Sequence, residues 1–426
     1  MLTVKIISEN REDVIRRLAK KHYEAEVKIE ELLRHDDMRR FYQQREEENR
    51  TTLKTLSDDL RRATMAGKAD DSEAIREEIV KVKNKIEQSE KIRRSSEVTV
   101  REILEQMPNL PHESVPEGKG ADDNVVERQG GLIPELDPAY ALPHWDLASK
   151  YDLIDFELGV KITGSGFPVY KGKGSRLQRA LISFFIDSAV EAGYTEVQPP
   201  FVVNSASAYA TGNLPDKEGQ MYYATTDDLY LIPTAEIPVT NIYRDTIFTA
   251  KELPKRTVAY SPCFRREAGS YGKDVRGLNR LHQFDKVEIV CIDIPARSYQ
   301  LLEAMTAHVQ GLIERLELPW RMLRLCGGDM SFTSALTFDF EVYSAAQKRW
   351  LEVSSVSNFE SFQANRLKCR YNDGSKKNSL CHTLNGSALA LPRIVAALLE
   401  NNQTKEGIRI PAALVPYTGF DIIENR

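Results

Sequence analysis

The first 107 residues contain no proline, and this absence constrains the fold more than any other feature of the chain. All 19 prolines lie at or after Pro108, and a single glycine, Gly67, precedes Gly118. The same segment is dense in charge, with 24 basic and 24 acidic side chains among its first 105 residues. Because proline and glycine interrupt helices, this composition predicts long, solvent-exposed helices followed by an ordinary globular region.

Apolar residues inside this segment follow the spacing of a coiled coil. They recur at intervals of three and four, at Leu53, Leu56, Leu60, Ile75, Ile79, Val82 and Ile86. Gly67 separates the two runs and can end one helix before the next begins. We therefore predict an antiparallel helical hairpin at about residues 27–100 with its tip near Gly67, and its first helix, from about Val27 to Met65, would be roughly 60 Å long at about 1.5 Å per residue.

The second helix of the predicted hairpin carries a run of basic side chains. They are Lys81, Lys83, Lys85, Lys91, Arg93 and Arg94. Such a run is most often a solvated face, and a heptad pattern by itself most often indicates dimerisation. The turn at Gly67, however, lets the two apolar runs pack against each other within one chain, so no partner helix is needed. The basic face then stays available for phosphates. Lys81, Lys85 and Arg93 are the candidate RNA contacts.

Overall composition narrows the class of protein. The net charge of −5 gives no global sign of nucleic-acid binding, so any RNA contact must be local. The five cysteines are odd in number and form no CxxC pair, which argues against a disulfide framework and a structural zinc site. No apolar leader or membrane-length stretch is present, so the sequence predicts a protein of the reducing cytoplasm without a membrane contact.

The most informative stretch is FRREAGSYGKDVRGLNRLHQFDKVEIV at residues 264–290. Two apolar-leaning runs, at 257–264 and 281–292, flank a polar, glycine-containing span, and this arrangement predicts an antiparallel hairpin with a long loop. The hairpin would hold Arg265, Glu267, Phe284 and Glu288 over one pocket. A guanidinium suits a phosphate, a carboxylate suits an exocyclic amine and an aromatic face suits a purine, so the set favours ATP.

This stretch resembles motif 2 of the class II aminoacyl-tRNA synthetases, and in detail that of the seryl-tRNA synthetase family. Other segments follow in the family's order. A helix, a strand and Pro-Pro at residues 175–200 resemble motif 1, Thr234-Ala-Glu236 resembles the family's Thr-Ala-Glu loop, and residues 382–400 resemble motif 3. The proline-rich segment after Met107 also resembles the family's connection between the helical arm and the catalytic domain.

The resemblance implies a role for each matching residue. The serine substrate is expected to contact Thr234, Glu236, Arg265, Glu288, Asn385 and Ser387. ATP is expected to contact Arg265, Glu267, Phe284, Glu352, Ser355 and Arg393. Within that set, Glu352 and Ser355 match the family's pair that holds Mg²⁺ on the ATP phosphates. Arg265, Glu352 and Arg393 are the candidate catalytic residues, with Arg265 neutralising the α-phosphate and Arg393 the γ-phosphate.

Two positions of motif 3 depart from the family's pattern, which usually has glycine there. Ala388 adds a methyl group near the expected pocket floor, and Pro392 lies where the helix begins. Proline is tolerated in the first turn of a helix, so we expect Pro392 to fit. We expect the added methyl group of Ala388 to change the affinity for serine by a small amount.

Together these features predict an α+β fold, in which an antiparallel sheet flanked by helices follows an antiparallel coiled-coil arm. The expected division is a tRNA-binding arm at 1–107, a linker at 108–130 and a class II catalytic domain at 131–426. The expected activity is ATP-dependent serylation of tRNA-Ser by a homodimer, with selenocysteine tRNA as a further candidate acceptor. Two alternatives stay open: a related ligase that charges a non-tRNA acceptor, and a non-catalytic RNA-binding paralogue.

Overall fold

A computed structural model of the chain describes residues 1–216, 218–267 and 276–424. Contacts within the chain group these residues into two compact units, Met1–Leu110 and Pro111–Arg426. The predicted arm boundary at 107 and the linker at 108–130 stay predictions. A strand within that linker range, Val125–Gly130, pairs with Trp320–Arg324 of the second unit. In the described part of the chain, no helix combines the length and the apolar character that crossing a membrane requires.

The first unit is helical throughout its regular structure, as the proline-free composition predicts. Its helices are α1 Val4–Glu9, α2 Arg11–Ala19, α3 Glu26–Met65 and α4 Ala69–Gln106. Gly67 lies between the two long helices with a positive φ of 69°, a conformation that glycine adopts without steric cost. The predicted antiparallel helical hairpin is therefore confirmed.

Side-chain burial in the hairpin follows the predicted spacing. Val82 is buried, and Leu53, Leu56, Ile75 and Ile86 are partly buried, whereas most of the residues between them are exposed. A polar contact also joins the two helices, because Arg93 Nε donates to Glu46 Oε2 at 2.9 Å. A narrow apolar seam with charged flanks is the arrangement that a two-helix hairpin needs in water.

The second unit is built on an eight-stranded sheet that is mostly antiparallel. Its strands, in spatial order, are β1 Val125–Gly130, β11 Trp320–Arg324, β12 Leu336–Ser344, β13 Arg349–Asn358, β16 His382–Ala390, β10 Gln283–Asp293, β9 Lys255–Phe264 and β4 Thr195–Glu196. Smaller sheets use β2 Ile154–Asp155, β3 Val169–Tyr170, β5 Val202–Asn204, β6 Tyr223–Ala224, β7 Leu229–Leu231, β8 Ile247–Thr249, β14 Arg370–Asn372, β15 Ser379–Leu380, β17 Gly407–Arg409 and β18 Ile422–Glu424. Among the described strand pairs of the large sheet, the edge pair β4–β9 alone is parallel.

Helices pack against both faces of this sheet, and the helix Glu236–Asn241 packs against the face that carries the site. The helices of the unit are α5 His144–Lys150, α6 Phe156–Ile162, α7 Gly172–Glu191, α8 Ser205–Thr211, α9 Glu236–Asn241, α10 Ser298–Arg315, α11 Ser361–Leu367, α12 Leu391–Asn401 and α13 Val415–Thr418. Residues of α7, α10 and α12 form one core with β10, in which Phe184 and Phe185 are fully buried. This architecture confirms the predicted α+β fold.

Candidate active site

Strands β9 and β10 form the antiparallel hairpin that the sequence predicts around the most informative stretch. Gln283 pairs with Phe264, and the register runs without a break to Ile292 and Lys255. Beyond the strands, the Arg265 N–H donates to the His282 carbonyl at 2.9 Å. The glycine-rich middle of the predicted loop, at 268–275, lies outside the described residues. The described base of the loop holds Arg265 and Glu267 beside the sheet.

Strand β10 separates the core from the site by alternation of its side chains. Val287 and Ile289 belong to the hydrophobic core beneath the helices. Phe284, Lys286 and Glu288 are two residues apart from one another and therefore share the opposite face. Strand periodicity thus places the predicted adenine-stacking and serine-facing residues on one surface, with a lysine between them.

That lysine is a member of the candidate site that the sequence reasoning missed. Lys286 Nζ lies 2.5 Å from Glu288 Oε2 and donates to Thr234 Oγ1 at 2.9 Å. Lys286 is 6% exposed and Glu288 1%, so the pair is held away from water. Ser387 Oγ completes the group at 3.4 Å from Glu288 Oε2. The alternation of Phe284, Lys286 and Glu288 was the sequence signal that could have identified Lys286.

Glu236 is the second carboxylate of this surface and begins helix α9. Gln363 Nε2, also missed from the sequence, donates to Glu236 Oε1 at 2.6 Å, and Asn385 adds a second hydrogen bond. Burial, and then repulsion from Glu288, raise the pKa of Glu236 from 4.5 to about 7 against the opposing effect of these hydrogen bonds and of Lys286. The structure therefore brings together Thr234, Glu236, Glu288, Asn385 and Ser387 as one polar cluster.

The cluster contains more negative than positive charge when both of its carboxyl groups are ionised. Within the part of the chain that the structure describes, the carboxylates of Glu236 and Glu288 share one buried ammonium group, that of Lys286. Burial raises the pKa of Glu236 most, and the repulsion from Glu288, which Lys286 does not fully offset, raises it further. A small ligand that carries an ammonium group would remove this imbalance.

Arg265 borders this cluster from the side of Phe284. Its guanidinium lies 5.2 Å from the centre of the Phe284 ring, and its Nε is 3.4 Å from the Pro233 carbonyl oxygen. The predicted phosphate-binding and purine-stacking side chains are thus neighbours. Glu267 is paired differently, since Arg280 Nη1 donates to its Oε2 at 2.8 Å. Both members of that pair line a cavity of about 950 Å³.

A β-bulge brings the predicted metal-holding residues to one face. Residues 352 and 355 would point to opposite faces of a regular strand. The register instead pairs Asp339 with Ser355 and Glu341 with Glu352, which leaves one extra residue on β13. Asp339 and Glu341 are two residues apart on β12, so both of their partners share that face.

The donors on this face fit a hard divalent cation. Glu352 offers a carboxylate and Ser355 a hydroxyl, and oxygen ligands of this kind suit Mg²⁺ when phosphates and waters complete the shell. Asp339, which the sequence reasoning missed, is 8% exposed, and its Oδ1 has no hydrogen-bond partner among the described residues. Burial, and then the charge of Glu352, raise its pKa well above the ordinary value. No cluster of three or more His, Cys, Asp or Glu side chains suited to a metal occurs in the described ranges.

Arg393 lies in the first turn of α12, where the third predicted motif runs from strand β16 into a helix. Its Nη1 donates to the Glu352 carbonyl at 2.7 Å, and its Nε donates to the Asn279 carbonyl at 3.1 Å. Pro392 is accommodated at the helix start, where no intrahelical N–H bond is lost. Ala388 is fully buried in β16 and belongs to the hydrophobic core, so the expectation that its methyl group lies near the pocket floor was wrong. Arg393 and Glu352 therefore share one edge of the site.

The candidate RNA contacts on α4 have different surroundings. Lys81 and Lys85 are exposed, and Lys81 Nζ lies 3.5 Å from Glu78 of the preceding turn. Arg93 is only partly exposed and binds two carboxylates, Glu46 at 2.9 Å and Glu97 at 2.8 Å. The guanidinium of Arg93 is thus engaged in joining the helices, whereas the two lysines face solvent.

Comparisons with known proteins match segments of both units of the chain. The family model described as the seryl-tRNA synthetase N-terminal domain matches residues 1–111, and the model described as the tRNA synthetase class II core domain (G, H, P, S and T) matches residues 222–402. A serine–tRNA ligase of Salinibacter ruber is 52% identical over 396 residues, which are 92% of each chain. A serine–tRNA ligase of Prosthecochloris aestuarii is 44% identical and covers 100% of this chain and 99% of its own.

Solved structures give the same result at the level of the fold. The seryl-tRNA synthetase of Pyrococcus horikoshii, solved in complex with ATP, matches with a TM-score of 0.93 at 32% identity over 100% of both chains. The cytoplasmic serine-tRNA ligase of Naegleria fowleri, in complex with AMP, has a TM-score of 0.89 at 25% identity and covers 100% of this chain and 99% of its own. On its sequence, its fold and its site, the chain belongs to the seryl-tRNA synthetase family of class II aminoacyl-tRNA synthetases.

Proposed function

We propose that this chain activates L-serine with ATP to form seryl-adenylate and pyrophosphate, and then transfers the seryl group to tRNA-Ser. The observation that carries the proposal is the polar cluster in which, among the described residues, Lys286 is the buried cation that contacts Glu288 and partly offsets the charge of Glu236. The α-ammonium of serine supplies a positive charge at Glu236, whose pKa is raised by burial and then by the repulsion from Glu288.

Discrimination between amino acids follows from the remaining groups of the cluster. Glu288 and Ser387 present oxygen atoms to the serine hydroxyl. A site built to hydrogen-bond a hydroxyl rejects alanine strongly, because its buried polar groups would be left unpaired. Threonine carries an additional methyl group, which a small pocket rejects less strongly than it rejects the absence of the hydroxyl.

The first chemical step needs no general base. The serine carboxylate is already ionised, and its oxygen forms a bond to the α-phosphorus as the bond to the pyrophosphate oxygen breaks. Arg265 lies between Pro233 and Phe284, where it can neutralise charge on the α-phosphate while Phe284 stacks on the purine. Glu267 accepts from the adenine amino group once it exchanges Arg280 for the ligand.

The polyphosphate end of ATP extends toward Glu352, Ser355 and Arg393. Arg393 is held within reach of the γ-phosphate by its bonds to Asn279 and Glu352. Glu352 and Ser355 would hold Mg²⁺, which neutralises phosphate charge when it is bound. In the second step, a terminal ribose hydroxyl of the tRNA attacks the seryl carbonyl carbon and AMP leaves.

The helical hairpin is the proposed tRNA-binding element. Lys81 and Lys85 are exposed on α4 and can contact the phosphate backbone, which contributes affinity and orientation but no base-specific readout. Recognition of this kind reads the shape of the tRNA rather than its anticodon. We also propose a homodimer through the motif 1 segment at residues 175–200, which light scattering on the purified protein would test.

Serine-dependent ATP–pyrophosphate exchange tests the activation step. We expect exchange with serine and at least about 100-fold less with alanine, because discrimination against a missing hydroxyl commonly reaches 10⁴ or more. Silence with serine, alanine and threonine would contradict the proposal and favour a non-catalytic RNA-binding protein. Exchange with serine, followed by transfer to a carrier protein but not to tRNA-Ser, would favour the related ligase.

A further inference from the structure

A buried histidine outside the predicted motifs holds the loop that supports Arg393. His144 begins helix α5, and its side chain and that of Glu400 are both fully buried. Its Nδ1 lies 2.7 Å from Glu400 Oε1, and its Nε2 lies 2.8 Å from the backbone nitrogen of Leu278. Leu278 belongs to the limb of the motif 2 loop that returns to strand β10.

The hydrogen-bond partners determine which nitrogen of His144 carries the proton. The Leu278 N–H can only donate, so Nε2 must be the unprotonated acceptor. Nδ1 therefore carries the proton and donates it to Glu400, which fixes both the tautomer and the orientation of the ring. Glu400 is itself fixed, because it also accepts from the His144 backbone N–H at 2.9 Å and from Ser344 Oγ.

The same carboxylate reaches the loop by a second route. Gln347 Nε2 donates to Glu400 Oε1 at 3.0 Å, and Gln347 Oε1 accepts from Asn279 Nδ2 at 3.0 Å. Asn279 follows Leu278 in the chain, and its carbonyl accepts from Arg393 Nε. Two adjacent residues of the loop are thus tied to Glu400, one through His144 and one through Gln347.

The loop lies too close to the imidazole to shift without consequence. Gly277 has a φ of 66°, and a Cβ atom at that position would be only 2.2 Å from His144 Nε2. Glycine is therefore required both by the backbone conformation and by the contact with the ring. The close approach means that the position of the imidazole sets the position of Leu278 and Asn279.

We propose that His144 is a positioning residue for adenylate formation: its neutral imidazole, oriented by Glu400, fixes Leu278 and Asn279 and thereby aims Arg393 at the polyphosphate of ATP. The inference rests on the proposed function, because it assigns Arg393 to that phosphate. A core residue without this role would differ from His144, because its loss would weaken the binding of all ligands equally.

Two matched substitutions test this role. His144→Gln places an amide oxygen near the position of Nε2 and can still accept from Leu278. His144→Asn keeps a donor for Glu400 but is too short to reach the loop. Because a small misplacement of a group can cost about 100-fold, we expect the Asn variant to lose about that factor in kcat for pyrophosphate exchange, with an unchanged KM for serine. The Gln variant is expected to stay within about fivefold of wild type.

A binding measurement separates positioning from damage to the fold. AMP lacks the phosphates that Arg393 contacts, so calorimetry should find weaker ATP binding but unchanged AMP binding for His144→Asn. Equal losses for both nucleotides, or identical behaviour of the Asn and Gln variants, would overturn the proposal.

A second variant keeps the test available if His144→Asn does not fold. Gln347 is only partly buried, so Gln347→Ala removes one link to Asn279 without a core cavity, and ATP affinity should fall while AMP affinity does not. Equal affinities of Gln347→Ala and wild type for ATP would also count against the proposal. If the wild-type protein showed no serine-dependent pyrophosphate exchange, the proposed function would be refuted instead. The affinities of the variants for ATP and for AMP would still test whether His144 positions Arg393.

Discussion

The helical hairpin and the catalytic unit are both rich in charge, but they neutralise it in different ways. On the hairpin, Arg62 pairs with Asp59 one turn away on the same helix, and both side chains are exposed. In the catalytic unit, Lys286 and Glu288 are almost completely buried and are fixed by a contact to Thr234 from another segment. The hairpin therefore distributes its charges in solvent, whereas the site concentrates a few in the interior.

This difference determines what a single substitution can do. An exposed ion pair contributes about 0–1 kcal/mol, so the hairpin should tolerate the loss of most single charges. Removing one member of a buried pair leaves an uncompensated charge and costs about 3–5 kcal/mol. We expect binding by the hairpin to be shared among many side chains, and activation to depend on each member of the site.

The largest expected effect contrasts an arginine of the site with one of the hairpin. Arg265→Ala should reduce pyrophosphate exchange by about 1,000-fold or more, because it removes the cation that neutralises the α-phosphate as charge develops. The matched change Arg94→Ala, at an exposed position paired with Glu90, should leave exchange unchanged. Near-normal exchange by Arg265→Ala, with native tryptophan fluorescence, would refute its assigned role.

The next effect concerns the carboxylate proposed to bind the serine ammonium. Glu236→Gln should raise the KM for serine by about 100-fold, because it replaces a charge-assisted hydrogen bond worth about 1.5–3 kcal/mol. For the wild type, serine binding should weaken as the pH falls below about 7, where Glu236 becomes protonated. A serine KM that does not change between pH 8 and pH 6 would contradict this assignment.

The same residue links stability to pH in the opposite direction. The folded pKa of Glu236 is raised above its ordinary value of 4.5, so the folded protein holds more protons than the unfolded chain between pH 4.5 and 7. Its contribution to the free energy of unfolding therefore falls as the pH rises through that window. Allowing for partial exposure, we expect Glu236→Gln to be more stable than wild type at pH 8 by on the order of 1 kcal/mol.

Breaking the buried pair of Lys286 and Glu288 should reduce activity less than the changes above, but it should clearly lower stability. Lys286→Met leaves Glu288 without its cation and should lower the stability of the catalytic unit by about 3 kcal/mol. All three tryptophans, Trp145, Trp320 and Trp350, lie in that unit, so urea titration followed by fluorescence reports on it alone. An unchanged midpoint would show that the pair is not a buried charge pair in solution.

The smallest expected effects distinguish basic residues of helix α4 that stabilise the hairpin from those that bind tRNA. Arg93→Ala should lower the melting temperature of the hairpin, because Arg93 joins the partly buried Glu46 to Glu97, and the cost should be about 1 kcal/mol. Lys85→Ala should leave the melting temperature unchanged and weaken tRNA binding slightly. It should also reduce the slope of the logarithm of the tRNA-binding constant against the logarithm of the salt concentration by about one. The reverse pattern, with Arg93 governing tRNA affinity and Lys85 stability, would contradict the division.

The sequence predicts the hairpin well because its pattern is local. Intervals of three and four between Leu53 and Ile86, together with Gly67, contain nearly all the information needed. The site was predictable only where alternation within one strand or the resemblance to a family provided it. Gln363 and Asp339 were missed because their importance depends on which strands and helices pack together, and no local spacing encodes that.

Some missed features had a weak local signal that competed with a simpler interpretation. Lys286 shares its strand face with Phe284 and Glu288, but a lysine between two such residues is usually exposed. The shared face of Glu352 and Ser355 depends on a bulge, which a regular two-residue period would not predict. His144 and Glu400 are 256 residues apart, so their contact cannot be derived from spacing.

The most direct test of the division between the two regions removes the hairpin and measures both half-reactions. Residues 33–95 would be replaced by a short Gly/Ser connection, since residues 32 and 96 lie near the bases of α3 and α4. Pyrophosphate exchange with serine should stay within about threefold of wild type, whereas tRNA-Ser charging should fall by about 100-fold or more as the phosphate contacts are lost. Equal charging efficiency of the shortened and full-length chains would contradict the account.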